Sequence, residues 1–213
     1  MAALIERRHT LNVESTMTSI SDTKALLAQH GTLESQPATD WRGDFALPVQ
    51  LEEYYREIGP LGDFINDKVG YSGVSIPTVG NPFDLPPLAK LWDLQAGYRW
   101  HGITGQRLED WDDMWLVIAS QGGDPFIFQR ETGEILFAQH GGGVWNPSEI
   151  FTDITTMTAC LATIGQVCNE AEDDLLTEDE TVNPVFRAIL ETRLTTILGD
   201  ASAAVALADL FEW

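Results

Sequence analysis

Between Met114 and His140 the chain carries three apolar runs, MWLVIAS, PFIFQ and EILFAQH, separated by only a few residues. Their valines, isoleucines and phenylalanines suit a pleated surface. Links this short cannot house a crossover, so neighbouring strands are expected to run antiparallel. In Gly122-Gly123-Asp124-Pro125 the glycines open backbone angles closed to other residues, Asp124 can bond nearby amides, and Pro125 fixes entry to the next strand. Arg130-Glu131-Thr132-Gly133 forms the second link. Phe126 and Phe128 then share one face of their strand, and Ile135 and Phe137 share one face of theirs.

Helical periods flank this centre. Ser21 or Asp22 caps a short helix with Leu26 and Leu27 that stops at Gly31. Pro48 opens another, with Leu51, Tyr54, Tyr55 and Ile58 in one stripe and Gly59 as its end. From Gly59 to Pro87 glycine and proline recur too often for long helices, and segments such as 71–79 read as short strands separated by turns. A helix starts near Pro87, with Leu88, Leu91 and Trp92 inward. After Trp145 the period lengthens, and Ile154, Met157, Leu161, Ile164 and Cys168 form a stripe behind a Thr152 or Asp153 cap. Seven acids in the eleven residues Glu170 to Glu180 read as a solvated linker. Asn183-Pro184 opens an amphipathic helix ended by Gly199, and an alanine-rich helix runs from about Ser202 toward Trp213. The expected organisation is a peripheral segment over 1–40, an α+β core over 41–169, and an acidic linker with a helical tail over 170–213, the tail docking on the core.

Charge narrows the choice of partners. With 33 acidic against 12 basic residues the formal charge is −21. Such a field repels phosphate backbones and anionic lipid and attracts basic surfaces, while also serving solubility. No apolar run reaches membrane-spanning length. The first sixteen residues hold no stretch suited to a secretion signal, an expectation that points to the cytoplasm. Cys160 and Cys168 sit eight apart in one helix, about 12 Å along its axis and beyond disulfide reach.

Catalytic and metal motifs are sparse. The histidines, at 9, 30, 101 and 140, form no His-x-x-x-His pair, and there is no Cys-x-x-Cys. Gly70-Tyr71-Ser72-Gly73-Val74 lacks the closing glycine of a nucleophile elbow, and Gly141-Gly142-Gly143 leads into Val144-Trp145 instead of a phosphate-binding lysine. No cofactor is expected. Glu109, Asp110, Asp112 and Asp113 around Trp111 read as a solvated turn. His140 and Trp145 bracket the three glycines and read as a cap on the end of the sheet. A hydrolase built from the acids around Trp111 with His140 would need those groups to converge in one pocket.

In order along the chain, these pieces resemble the SUKH superfamily, which includes a fungal cell-wall-synthesis regulator and bacterial polymorphic-toxin immunity proteins. The resemblance rests on Leu47-Pro48 before a helix with Tyr55 and Gly59, Trp111 and Trp115 before a strand, Gly-Gly-Asp-Pro at 122–125, a hairpin, and His-Gly-x-Gly-x-Trp at 140–145 running into a helix. It covers about 48–168. It implies an α+β fold, a largely antiparallel central sheet flanked by helices, and a binding role without catalytic residues. Trp111, Asp112, Asp124, His140 and Trp145 become candidate partner-binding residues, serving either as architecture at the sheet's end or as the lining of a partner-facing groove. The function so implied is an immunity protein that occludes a toxin domain with a basic surface, a nuclease being one possibility. A regulatory or scaffolding module like the fungal relatives is the alternative.

Overall fold

The computed structural model describes residues 19–213. His9 and the segment read for a secretion signal lie outside the described residues. The fold is α+β, built on a six-stranded sheet in the order β3-β4-β5-β6-β7-β8, with every neighbouring pair antiparallel. Its strands are β3 (Val74–Ile76), β4 (Phe83–Leu85), β5 (Trp115–Gln121), β6 (Asp124–Gln129), β7 (Ile135–Phe137) and β8 (Ser148–Phe151). A separate two-stranded hairpin pairs β1 (Phe64–Asn66) with β2 (Gly70–Tyr71). The helices are α1 (Ile20–Leu27), α2 (Val49–Glu57), α3 (Leu88–Leu91), α4 (Ile154–Ala171), α5 (Pro184–Leu198) and α6 (Ala201–Leu210).

The central hairpin follows the expected register. Gln121 pairs with Asp124 across Gly122 and Gly123, whose φ angles are +58° and +104°. Two consecutive left-handed positions match the twist of the flanking strands, and only glycine adopts both without strain. Phe126, Phe128, Ile135 and Phe137 all face the main core.

Helix α4 holds that core together. Asp153 caps it by accepting from Thr156 N at 2.8 Å, and thirteen of its 18 residues are buried. More than an amphipathic stripe is therefore covered, because α1, α2, α5 and the sheet pack around this helix. Contact is tightest at Gly165, where a Cβ would sit 2.4 Å from Ile76 Cγ2 and 2.7 Å from His30 Cε1.

The C-terminal helices enter the same core. Leu190 and Leu194 of α5 are buried, and Phe211 lies 5.0 Å from the Phe83 ring and 5.6 Å from Phe137. Arg187 ties the two helices together, bonding Glu191 at 2.8 Å, Asp209 at 2.6 Å and the carbonyl of Trp213. In the acidic stretch, Glu172–Asp174 form one 3-10 turn and Leu175 packs against the core.

Several local expectations are corrected. Ser19, not Ser21 or Asp22, caps α1, its hydroxyl accepting from Asp22 N. Within 71–79 the turn between short strands falls at Gly73, whose φ of +86° separates β2 from β3. Helix α3 is a single turn followed by a 3-10 turn over Asp93–Gln95. Strands β4 and β8 had no individual sequence signal: they are only three and four residues long.

Candidate functional site

One face of the sheet packs on α4; the other carries Val117 from β5, Ile127 from β6, and Leu136 and Ala138 from β7 and its end. Among the described residues no α-helix covers this second face. Its lid is the long connection from Trp92 to Met114, together with Trp145.

Gln95 fastens the lid. Strand β4 reaches β5 only at Ser120 and Gln121, so the backbone of Val117 lacks a strand partner on that side. The buried Gln95 amide takes its place: Oε1 accepts from Val117 N at 2.9 Å, and Nε2 donates to Val117 O and Leu91 O at 2.8 Å each. Every polar atom of that side chain is satisfied by backbone, as a buried amide requires.

Over this face lies an aromatic box. Trp111 is 2% exposed, with ring centroids 5.3 Å from Trp115, 5.5 Å from Tyr98 and 5.6 Å from Trp145. These edge-on and tilted geometries suit aromatic quadrupoles. The Trp111 indole donates to Trp115 O at 3.3 Å, and Tyr98 donates its hydroxyl to Gly123 O at 2.8 Å. That second bond ties the lid to the β5–β6 turn. Burial pushes the Tyr98 phenol above its ordinary pKa, and the charge of Asp124 adds to the shift.

Asp124 and His140 meet at the same corner. Asp124 Oδ1 accepts from the His140 amide at 2.7 Å and from its Nδ1 at 2.5 Å. Past His140 the glycine run and Val144 line a shallow cavity of about 300 Å³ with Trp145 at its side. Val144 is 72% exposed and Ile103, on the lid, is 92% exposed.

The five sequence-derived candidates thus divide. Trp111 and Trp145 share one aromatic contact, and Asp124 and His140 share one hydrogen-bonded pair. Tyr98 joins the two sets through its ring contacts and its bond to Gly123. Asp112 is engaged elsewhere, accepting from Met114 N at 2.7 Å within its own turn. Trp111 is a floor beneath the site and presents no surface to a partner; His140, with its side chain 62% exposed, does.

Sequence reasoning missed Tyr98, Gln95 and an arginine hub. Asp113 is a counter-ion as well as a turn residue: Arg99 reaches its Oδ1 at 2.9 Å and Arg107 at 2.6 Å, while Arg99 and Arg130 donate to its carbonyl. The Arg130 guanidinium stacks 3.5 Å from the Phe45 ring centroid. Burial pulls the Arg130 pKa down, and the neighbouring Arg99 charge adds to that shift. The available signal was scarcity: three of only 12 basic residues flank the strands of the central hairpin. The acids named with His140 for hydrolysis do not meet it, since Asp112 and Asp113 are held by these other groups.

Among the described residues no three His, Cys, Asp or Glu side chains group as metal ligands, and no helix is long and apolar enough to cross a membrane. No protein-family model, curated protein or solved structure matches the chain.

Proposed function

We propose that this chain is a protein-binding module of the SUKH kind, an immunity protein that occludes a toxin domain in the cytoplasm. The observation that carries the reading is the sheet end. Val144 stands clear of the surface beside the His140–Asp124 pair, over a floor of packed indoles. A preorganised apolar anchor beside a polar pair is the anatomy of an interface centre, where few residues carry most of the energy. The −21 charge adds long-range attraction for a basic target, such as the nucleic-acid-binding face of a nuclease, and raises the encounter rate. Occlusion needs no chemistry from this chain.

The test is co-expression with the toxin domain encoded beside it, scored by host survival. Rescue by the wild type, lost with His140→Ala/Val144→Asp, supports the reading. A binding-deficient result with purified toxin, its activity unchanged under excess protein, overturns it and moves the weight to a regulatory or scaffolding module.

A further inference from the structure

Four of the large apolar side chains left exposed crowd onto one small element away from the sheet end. On the β1–β2 hairpin Phe64 is 56% exposed, Ile65 54%, Val69 47% and Tyr71 40%. Phe64 and Tyr71 face each other across the two strands, centroids 5.4 Å apart. This pair makes a firm apolar ridge, and a two-stranded hairpin showing this much apolar surface is unfavourable unless something covers it.

Beside Tyr71 lies a groove of about 570 Å³, lined by Val69 and Tyr71 of the hairpin together with Pro37 and Pro87. Its floor is fixed by Gln36, which donates to Pro60 O at 2.9 Å and accepts from Leu88 N at 2.7 Å. The rim carries Glu34, Asp40, Asp67 and Asp93 against Lys68 and Lys90, an excess of two negative charges. None of its lining residues belongs to the cavities beside His140 and Trp145.

The geometry points to a second docking surface here, taking a basic protein segment with an aliphatic or aromatic anchor. Apolar walls take the anchor and the acidic rim takes flanking lysines or arginines. A second copy of this chain fits poorly, because two bodies of −21 repel at short range. Anionic lipid and nucleic acid meet the same repulsion. The surface is independent of the sheet-end reading, and rescue in co-expression does not bear on it.

The experiment titrates the full-length protein with a lysine-rich peptide carrying one tryptophan and two leucines, followed by amide chemical shifts. The same peptide with glutamate for lysine is the control. Shifts are expected at 61–73 and 34–40, with affinity falling at least about tenfold for Phe64→Ser/Tyr71→Ser and little changed for His140→Ser/Val144→Ser. Asp40→Asn/Asp93→Asn leaves the hairpin intact and is expected to weaken binding about fivefold while flattening its salt dependence. Shifts centred on the sheet end, equal binding of the acidic peptide, or self-association abolished by Phe64→Ser/Tyr71→Ser would each overturn the proposal.

Discussion

Asp124 receives two hydrogen bonds from His140 through a single oxygen, one from the backbone amide at 2.7 Å and one from ring Nδ1 at 2.5 Å. A carboxylate only accepts, so Nδ1 carries the proton. The bond to the amide fixes the chain as it leaves the sheet, and the bond to the ring fixes the imidazole over Gly123, where a Cβ would lie 3.7 Å from Nδ1. One aspartate therefore sets both where the glycine run begins and which way His140 points.

Replacing that aspartate separates positioning from stability. Asp124→Ala is expected to cost about 1–2 kcal/mol in urea unfolding, as charged hydrogen bonds at a partly exposed site do. It should also weaken partner binding more than His140→Ala, because it releases the backbone as well as the ring. Equal effects of the two variants would mean that only the ring matters.

Gln95 offers a sharper stability test. Gln95→Leu keeps the volume but leaves the buried amide and carbonyl of Val117 without their side-chain partner. A loss of about 2–4 kcal/mol is expected, with increased hydrogen exchange at Val117 and across residues 92–111. A loss confined to the lid, with Val117 still protected, would show that another group takes over the clip.

The C-terminal aromatic wedge makes residues 184–213 part of the folding unit. Phe211→Ala removes a ring packed on Phe83, Phe126 and Phe137 and is expected to cost about 3–5 kcal/mol. Unfolding followed at Trp213 and at Trp111 should remain one transition. Two separated transitions would show that α5 and α6 fold apart from the sheet.

His30 sets a pH dependence. Its Nε2 lies 2.9 Å from Ala162 O, its Nδ1 is buried without a partner, and burial lowers its pKa below the ordinary 6.5, the Ala162 bond opposing the shift. Above the unfolded value both states are neutral and the residue makes no pH-dependent difference. As pH falls through about 6.5 the unfolded chain takes up the proton first, so stability drops until the folded pKa is passed. Urea midpoints at about pH 8 and about pH 5.5 should differ less for His30→Asn than for the wild type. An identical difference in both proteins would assign the effect to other titrating groups, the remaining histidines and the carboxylates.

Thiol chemistry follows from the same packing. Burial pushes the Cys168 thiol up to about 12 and raises Cys160 as well, with the Asp153 charge adding to the Cys160 shift. Both are expected to resist aromatic disulfide reagents in the native state and to react at the rate of unfolding. Fast reaction of Cys168 in native buffer would place it at an opening surface.

Much of this fold was legible because local patterns and tertiary packing agree. The Gly122-Gly123 turn, the alternation of Phe126 with Phe128, the Asp153 cap of α4, and the Asn183-Pro184 opening and Gly199 end of α5 are all short-range chemistry. Of the candidate site, Trp111 with Trp145 and Asp124 with His140 were named from the sequence. How they group was not legible, since the contact between Trp111 and Trp145 spans the whole central hairpin.

What the sequence by itself determined is therefore the set of elements whose partners lie within a few residues: turns, caps, helix faces and the antiparallel pairing of β5, β6 and β7. Only the tertiary structure decided which buried polar groups would serve the backbone, as Gln95 does for Val117 and Gln36 for Leu88 and Pro60. It also turned Asp113 into the counter-ion of Arg99 and Arg107 and gave its carbonyl to Arg130. Among the described residues it left the β1–β2 ridge exposed while burying Phe211. The physical reason is range. A hydrogen bond or ion pair between distant residues leaves no periodicity in the chain, because its strength depends on burial and geometry that exist only once the core has closed.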